Sequence, residues 1–422
     1  MNSLWKSGSY LMMATFVLGS IRGQTSEGDW RSDAPGKRHR ITVAELPAPF
    51  ATESVANGPK LIAKPEGATL HVPPGFEIQE YASGFKNPRY LCCAPNGDLF
   101  VVESASGEIR ILRDADGDGK PELNKVFLSG LKKPFGITFY PAGPNPQYLY
   151  VANTDSVVRF PYTNGDLKAR GESEEIAQLS GYGLLTGGGH WTRDVAFSKD
   201  GKKLYVSVGS LSNVDDDSRE NRRARIFVMN PDGSDMKDFA TGIRNAVGLA
   251  VHPDTGDLWA SVNERDGLGD DLVPDYITRV KKDGFYGWPW FYLGNHPDPR
   301  HQKTPHSEMA DRVLIPDVLV QAHSASLKML FYIGNQFPKE YHHDAFAAFH
   351  GSWNRKMRTG YKVVRVPLKN GQPQGYYEDF VTGFVTPKGN VWGRPVGLAV
   401  AKDGSLLMSE DGNDTIWRIR AK

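Results

Sequence analysis

An apolar strand, a turn of the Asn-Gly or Asp-Gly type and a second apolar strand recur along this chain, and that repeat limits the fold more than any other feature. The unit reads LCCAPNGDLFVVES from Leu91, VAFSKDGKKLYVSVGS from Val195, LAVHPDTGDLWASVNE from Leu249 and LAVAKDGSLLMSEDG from Leu398. A weaker copy, ITFYPAGPNPQYLYVANT from Ile137, has a longer turn. A divergent one spans Lys328 to Pro367, with FAAFHGSW and YKVVRVPL as strands. Turns of this kind fix the register of antiparallel hairpins. Each unit also ends in a further strand, such as EIRILRDADG, ARIFVMNPDG or TIWRIRAK. Small sheets arranged radially leave only short, protected edges, so the sequence predicts an all-β, six-bladed β-propeller. The strand TIWRIRAK ends the chain, while FEIQEYAS from Phe76 precedes the first copy. The spare strand would close the ring as the outer strand of the last blade.

Ahead of the repeats the chain divides into two parts. Lys6 precedes the apolar run YLMMATFVLG, followed by small and polar residues, which reads as a signal peptide over 1–23 and an exported, periplasmic or secreted protein. An uncleaved anchor is the alternative, because Ile21 stands where a cleavage site wants a small residue. From 24 to 69 recurrent prolines discourage helices and predict an extended leader that wraps the domain. The propeller takes 70–422, and no other apolar stretch approaches the roughly 18 to 20 residues of a membrane helix. Fifty Lys and Arg against forty-nine Asp and Glu argue against a nucleic-acid binder or a polybasic membrane-surface protein. A small molecule is the expected substrate. Two adjacent cysteines, Cys92 and Cys93, make no disulfide framework, four-cysteine zinc site or haem-attachment motif. Redox chemistry here must use a cofactor held non-covalently.

Propellers bind ligands over the central channel, on loops leading into the inner strands. GGGHWTRDVAF from Gly187 delivers His190 and Arg193 there. A histidine can take a proton near neutral pH; a turn histidine bonded to backbone is the plain alternative. TGIRNAVGLAV from Thr241 puts Arg244 and Asn245 at the equivalent place of the next blade, and VWGRPVGLAV from Val391 puts Arg394 in the same register of the last. A guanidinium there can bind a carboxylate or polarise a carbonyl. HGSWNRK from His350 adds Trp353 as a stacking surface and Asn354, Arg355 and Lys356 as donors. The set describes a pocket for a flat, polyanionic, carbonyl-bearing ligand with a base beside it. DADGDGKPE carries Asp114, Asp116, Asp118 and Glu122 as in the first half of a calcium loop, with Lys125 where an EF-hand places its bidentate Glu. A peripheral calcium and a solvated turn both remain open. The Trp-, Tyr- and Pro-rich segment Phe285 to Met329 reads as an insertion shaping substrate access.

GHWTRDVAFSKDGKKLYVSVGS, GIRNAVGLAVHP, VNERDGLGDD, DGFYGWPW, FHGSWNR and GRPVGLAVAKDGSLLMSEDG occur in that order. With LPAPFATESVANGPKL ahead of them, they resemble the glucose/sorbosone dehydrogenase family in its L-sorbosone dehydrogenase-like branch, from about Leu46 to the C-terminus. That family is similar to soluble glucose dehydrogenase, which uses pyrroloquinoline quinone (PQQ) and calcium. The resemblance implies hydride transfer from a sugar or sugar-derived aldehyde to PQQ, with electrons passed to an external acceptor, a quinone or cytochrome. It implies His190 as general base and Arg244 against the reacting carbonyl. It also places Arg193, Asn245, Arg394 and the run Trp353, Asn354 and Arg355 beside the cofactor. Calcium would sit on the backbone carbonyls of Glu264 and Arg265, although VNERDG departs from the metal-holding loop of the glucose branch, and Ser210 replaces a carboxylate that supports the base there. A calcium-dependent lactonase-type hydrolase and a non-catalytic ligand-binding propeller are the alternatives; a lactonase would need metal-ligating carboxylates in the channel.

Overall fold

Each repeat folds into its own antiparallel sheet in the computed structural model, which describes Met1 and residues 28–181, 189–303 and 305–422. Apart from Met1, the signal-peptide segment lies outside the described residues, as do Gly187 and Gly188 of the glycine run. Blade 1 comprises Pro88–Cys93, Leu99–Glu103, Glu108–Arg113 and Leu123–Leu128, and blade 2 Ile137–Tyr140, Tyr148–Ala152, Ser156–Pro161 and Glu174–Gln178. Blade 3 is Val195–Phe197, Leu204–Val208, Arg225–Met229 and Lys237–Thr241; blade 4 is Ala246–Val251, Leu258–Val262, Tyr276–Arg279 and Val318–Leu319. Blade 5 runs Ser326–Phe331, Ala345–Phe349, Lys362–Val366 and Tyr377–Val381. Blade 6 takes three strands from the C-terminus, Pro395–Val400, Leu406–Glu410 and Thr415–Ala421, and its fourth from Phe76–Ser83. The six-bladed propeller expected from the repeats is therefore observed, closed as expected. Phe76 pairs with Ala421 and Ser83 with Thr415, with one register shift between Glu80 and Ala82.

The local causes are simple. Gly97, Gly201, Gly256 and Gly404 sit in the first hairpins at φ of +102°, +70°, +76° and +87°, a region that side chains with a Cβ avoid. Second strands are covered on both faces by neighbouring blades, so they read as unbroken apolar runs. Every residue of Ala345–Phe349 (AFAAF) is buried, which is why that copy lacks alternation and looked divergent. Between blades 1 and 2, Phe100 meets Phe127 and Phe139 edge-on at 4.9 and 5.1 Å.

Two segments depart from the plain blade. Residues 28–69 cross blades 4, 5 and 6. Arg38–His39 adds to the outer edge of blade 5, Phe50 N donates to Leu268 O at 2.8 Å, and Leu61 bridges Val391. An ionic cluster fastens this leader: buried Lys362 Nζ lies 2.8 Å from both Asp33 and Asp379, and Asp379 also holds His39 at 2.9 Å. The ammonium takes the place a metal would need in that trio. The insertion is shorter than Phe285 to Met329. Gly284–Phe285 runs parallel to the outer strand of blade 3, but Val318–Leu319 is already the outer strand of blade 4 and Ser326 begins blade 5. Strand alternation puts the hairpin turns on one face of the ring. Loops joining second to third strands, and outer strands to the next blade, lie on the other.

Candidate active site

On that loop face the inner strands converge over an ionic floor that sequence reading missed. Lys328 Nζ, from blade 5, lies 3.2 Å from Asp194 Oδ2 and donates to the hydroxyl of Tyr90 in blade 1, which donates to Asp194 Oδ1 at 2.9 Å. The N–H groups of Val195 and Leu249 each donate to Asp194 at 2.8 Å, so a carboxylate with no exposure keeps a full set of partners. Removing one member of such a buried pair costs about 3–5 kcal/mol, because it strands the other charge. Its only trace in the sequence is a lysine inside the apolar strand SLKMLF.

Above the floor, His190 Nδ1 lies 2.8 Å from the Ser210 carbonyl oxygen and 3.0 Å from Ser210 Oγ. A carbonyl only accepts, so Nδ1 carries the hydrogen and Nε2 keeps its lone pair. Burial, then the Arg244 cation, drive the His190 pKa down to about 3, and the ring is neutral at pH 7. Gly209 makes the crowding possible: a Cβ there would stand 2.3 Å from Asn245 Oδ1 and 2.7 Å from His190 Cβ. Arg193 spends its guanidinium on the protein's own backbone. It is fully buried, donating to the carbonyls of His190, Thr192 and Ser180 at 2.7–2.8 Å, and so braces the loop that carries the base.

Arg244 is held by four acceptors: Asn213 O at 3.1 Å, Asn213 Oδ1 at 3.0 Å, Glu264 O at 2.7 Å and Asn263 O at 3.4 Å. One Nη2 hydrogen is left over, with Asp266 at 3.6 Å. Asp266 also accepts from Asn354 Nδ2 at 2.5 Å and lies 3.5 Å from His323, whose pKa it helps to raise against the effect of burial. Of the two expected metal carbonyls, that of Glu264 does not stand free. Glu264 O faces a guanidinium, a competing cation, and buried Arg265 ties blade 4 to the insertion through Asp298 and the carbonyls of Pro289 and Phe291.

Opposite lies a second cluster, in which sequence reading picked out Arg394 but missed its partners. His350 Nε2 donates to Asp411 Oδ1 at 2.8 Å and its Nδ1 accepts from Arg394 Nη2 at 2.7 Å; Arg89 bonds to Asp411, which brings its Nη1 within 3.2 Å of His350 Nε2. Against the effect of burial, His350 and then the Arg89 and Arg394 guanidiniums hold Asp411 far below the carboxylate range, and burial pushes His350 down to about 4. Arg89 also stacks over Trp191 at 5.7 Å, linking this cluster to the His190 loop. His350 and Asp411 each follow a second strand directly. That position, rather than only the start of the inner strand, was the readable signal. Of the HGSWNRK donors, Asn354 joins the network. Trp353 is 52% exposed, and Arg355 points away to Asp271 and Asp270 O.

The acidic loop lies between the third and outer strands of blade 1, on the opposite face. Carboxylate oxygens of Asp114, Asp116, Asp118 and Glu122 gather within 4.8 Å of one another. Each also accepts a local backbone N–H at 2.7–3.1 Å.

Fold and site together define a six-bladed propeller with a half-buried, neutral histidine and three guanidiniums at the mouth of its channel. The chain belongs to the TrAA12-like family, whose model matches residues 70–280 and 294–422, in agreement with the resemblance seen in the sequence. It is 27% identical to an uncharacterized protein of Borreliella burgdorferi, covering 83% of this chain and 91% of that one. It is 24% identical to the pyrroloquinoline quinone-dependent pyranose dehydrogenase of Coprinopsis cinerea, again over 83% of this chain but only 54% of the relative's length. The holo form of the PQQ domain of pyranose dehydrogenase from Coprinopsis cinerea superposes with a TM-score of 0.68 at 22% identity, over 84% of this chain and 97% of that domain.

Proposed function

We propose that this protein is a PQQ-dependent oxidoreductase that oxidises a sugar or sugar-derived aldehyde of the aldose or sorbosone type. The observation that carries this reading is a neutral His190 whose Nε2 has no partner among the described residues, near Arg244, in a pocket where the ion-pair partners of Arg89, Arg244 and Arg394 among those residues are Asp266 and Asp411. The donor set fits a rigid polyanion. Arg89 Nε, Arg394 Nε, and Oδ1 of Asn245 and Asn354 are buried without partners, and such orphans call for a ligand or water. PQQ, when bound, supplies the hydride acceptor.

The chain's own residues would do the rest. Arg89 and Arg394 would hold carboxylates of the cofactor through charge-assisted hydrogen bonds. Arg244, immobilised by its four carbonyl and amide acceptors, offers its remaining N–H to charge growing on a carbonyl oxygen, a fixed cation that needs no reorganisation. His190 Nε2 takes the substrate hydroxyl proton, and Ser210 keeps the ring in the tautomer able to do so. An anion against Arg244 offsets that cation and raises the His190 pKa toward the range of an effective base. Calcium does not fit Glu264 O, which already meets a guanidinium, and no step is assigned to it. Electrons would pass to an external acceptor, a quinone or cytochrome, and the signal-peptide pattern supports export.

Cofactor-free protein is expected to be inactive with an artificial electron dye and to gain sugar-dependent dye reduction when PQQ is added. Aldoses, sorbosone and simple alcohols form the panel. Silence with every sugar and aldehyde while PQQ is demonstrably bound would overturn the dehydrogenase reading.

A further inference from the structure

Beside the axial pocket, between the loop that follows the second strand of blade 3 and the insertion, lies a cleft of about 430 Å³. Its wall carries Phe285, Trp288 and Trp290 from the sequence FYGWPW, and its rim carries Asp216, Asp238 and Thr241. The half-buried Trp290 ring is fixed twice. His306 stacks on it at 4.0 Å, and its Nε1 donates to Asp216 Oδ2 at 3.0 Å. Among the described residues, Asp216 Oδ1 has no hydrogen-bond partner, Asp238 uses Oδ2 for Arg225 at 2.7 Å and leaves Oδ1, and the Thr241 hydroxyl makes no side-chain bond. The cleft is also wired to the active site. Asn213 O accepts from Trp288 Nε1 at 2.8 Å and from Arg244 Nε at 3.1 Å, so one carbonyl is shared by the cleft wall and the axial guanidinium.

We infer that this cleft is an accessory subsite for a neutral pyranose ring, holding the far units of an oligosaccharide whose terminal sugar enters the axial pocket. A pyranose has apolar C–H faces that pack on flat aromatic rings and an equator of hydroxyls that donate to carboxylate oxygens, which is the mixture found here. Four carboxylates line the cleft against two guanidiniums, Arg223 and Arg225, so phosphorylated or uronic ligands are disfavoured. Positioned aromatic rings also match the general design of pockets, apolar walls with few oriented polar groups. The ligand class rests on the proposed sugar oxidation, but binding at the cleft does not require the quinone.

The test therefore has two arms. Cofactor-free protein is titrated with cellotetraose, mannotetraose, xylotetraose and maltotetraose by calorimetry and tryptophan fluorescence. At least one should bind with little dependence on salt, and Trp290→Ala should weaken it about tenfold or more, as loss of an aromatic anchor does. Asp216→Asn, which keeps an acceptor for Trp290 and sits on the exposed rim, should weaken it less while preserving the thermal transition. In the second arm, PQQ-loaded Trp290→Ala should raise KM for the bound tetrasaccharide and leave kcat and the KM of a monosaccharide unchanged. Absence of binding by all four, equal binding by Trp290→Ala, or a cleft that takes only choline in a salt-sensitive way, as a cation cage would, each overturns the inference. Binding without any dye reduction would instead overturn the redox reading and leave the subsite standing.

Discussion

His190→Ala lowers PQQ- and sugar-dependent dye reduction by about a hundredfold to ten-thousandfold, the usual worth of a positioned general base. PQQ affinity stays near that of the unaltered protein, because the imidazole holds a proton-transfer position rather than a carboxylate. The distinction follows from the hydrogen bonds: Nδ1 is spent on Ser210, and only Nε2 is left to react. The sign with pH follows too. Burial and Arg244 hold the folded-state pKa near 3, below the ordinary 6.5, so the free base persists through the neutral range and is lost only as pH falls toward 3. A bound anion moves that limb upward. Steady-state rates of the purified variant at pH 7 check this, and near-unchanged turnover would remove His190 from the chemistry.

Deleting residues 70–85 abolishes the single cooperative melting transition or shifts it sharply downward. Phe76–Ser83 is the outer strand of blade 6 and leads directly into blade 1, so among the described residues it is the pairing that closes the ring of blades. Without it the strand Thr415–Ala421 presents an unpaired edge. The milder Phe76→Ala should cost about 3–5 kcal/mol, as large aromatic truncations in cores do, since Phe76 packs edge-on against Phe337, Tyr341 and Phe380 at 4.8–5.2 Å. Scanning calorimetry or thermal circular dichroism reads both; an unchanged transition in the deletion would mean that the ring closes some other way.

The architecture was legible because its signals are local. A glycine in a hairpin turn and an apolar run on either side report the same geometry wherever they occur, and the closing strand at Phe76 followed from counting. The two-residue outer strand Val318–Leu319 was not legible, since nothing local marks so short a strand after an insertion. Side-chain direction was harder still. Arg193 and Arg244 both stand just before an inner strand, yet Arg193 turns under its own loop while Arg244 reaches across to the loop at Asn213. Only the packing of neighbouring blades decides between them. The same holds for His350 and Asp411, whose partner Arg89 comes from blade 1, and for Asp194, Tyr90 and Lys328, which meet across the channel from three blades. A resemblance carried the names of several pocket residues, but it gave no account of the partners these side chains take: Arg193 bonds to backbone carbonyls, Arg355 pairs with Asp271, and Trp353 is largely exposed.

The central claim is that the guanidiniums at the channel mouth form a seat for an anionic quinone. Equilibrium titration of PQQ into cofactor-free protein, followed by its absorbance and by calorimetry, tests this without relying on any substrate. The account predicts saturable, equimolar binding that weakens with salt, as charge-assisted contacts do. It also predicts a loss of about tenfold or more in Arg394→Ala and in Arg244→Ala. Failure of PQQ to bind, or binding that is indifferent to both substitutions, would contradict it.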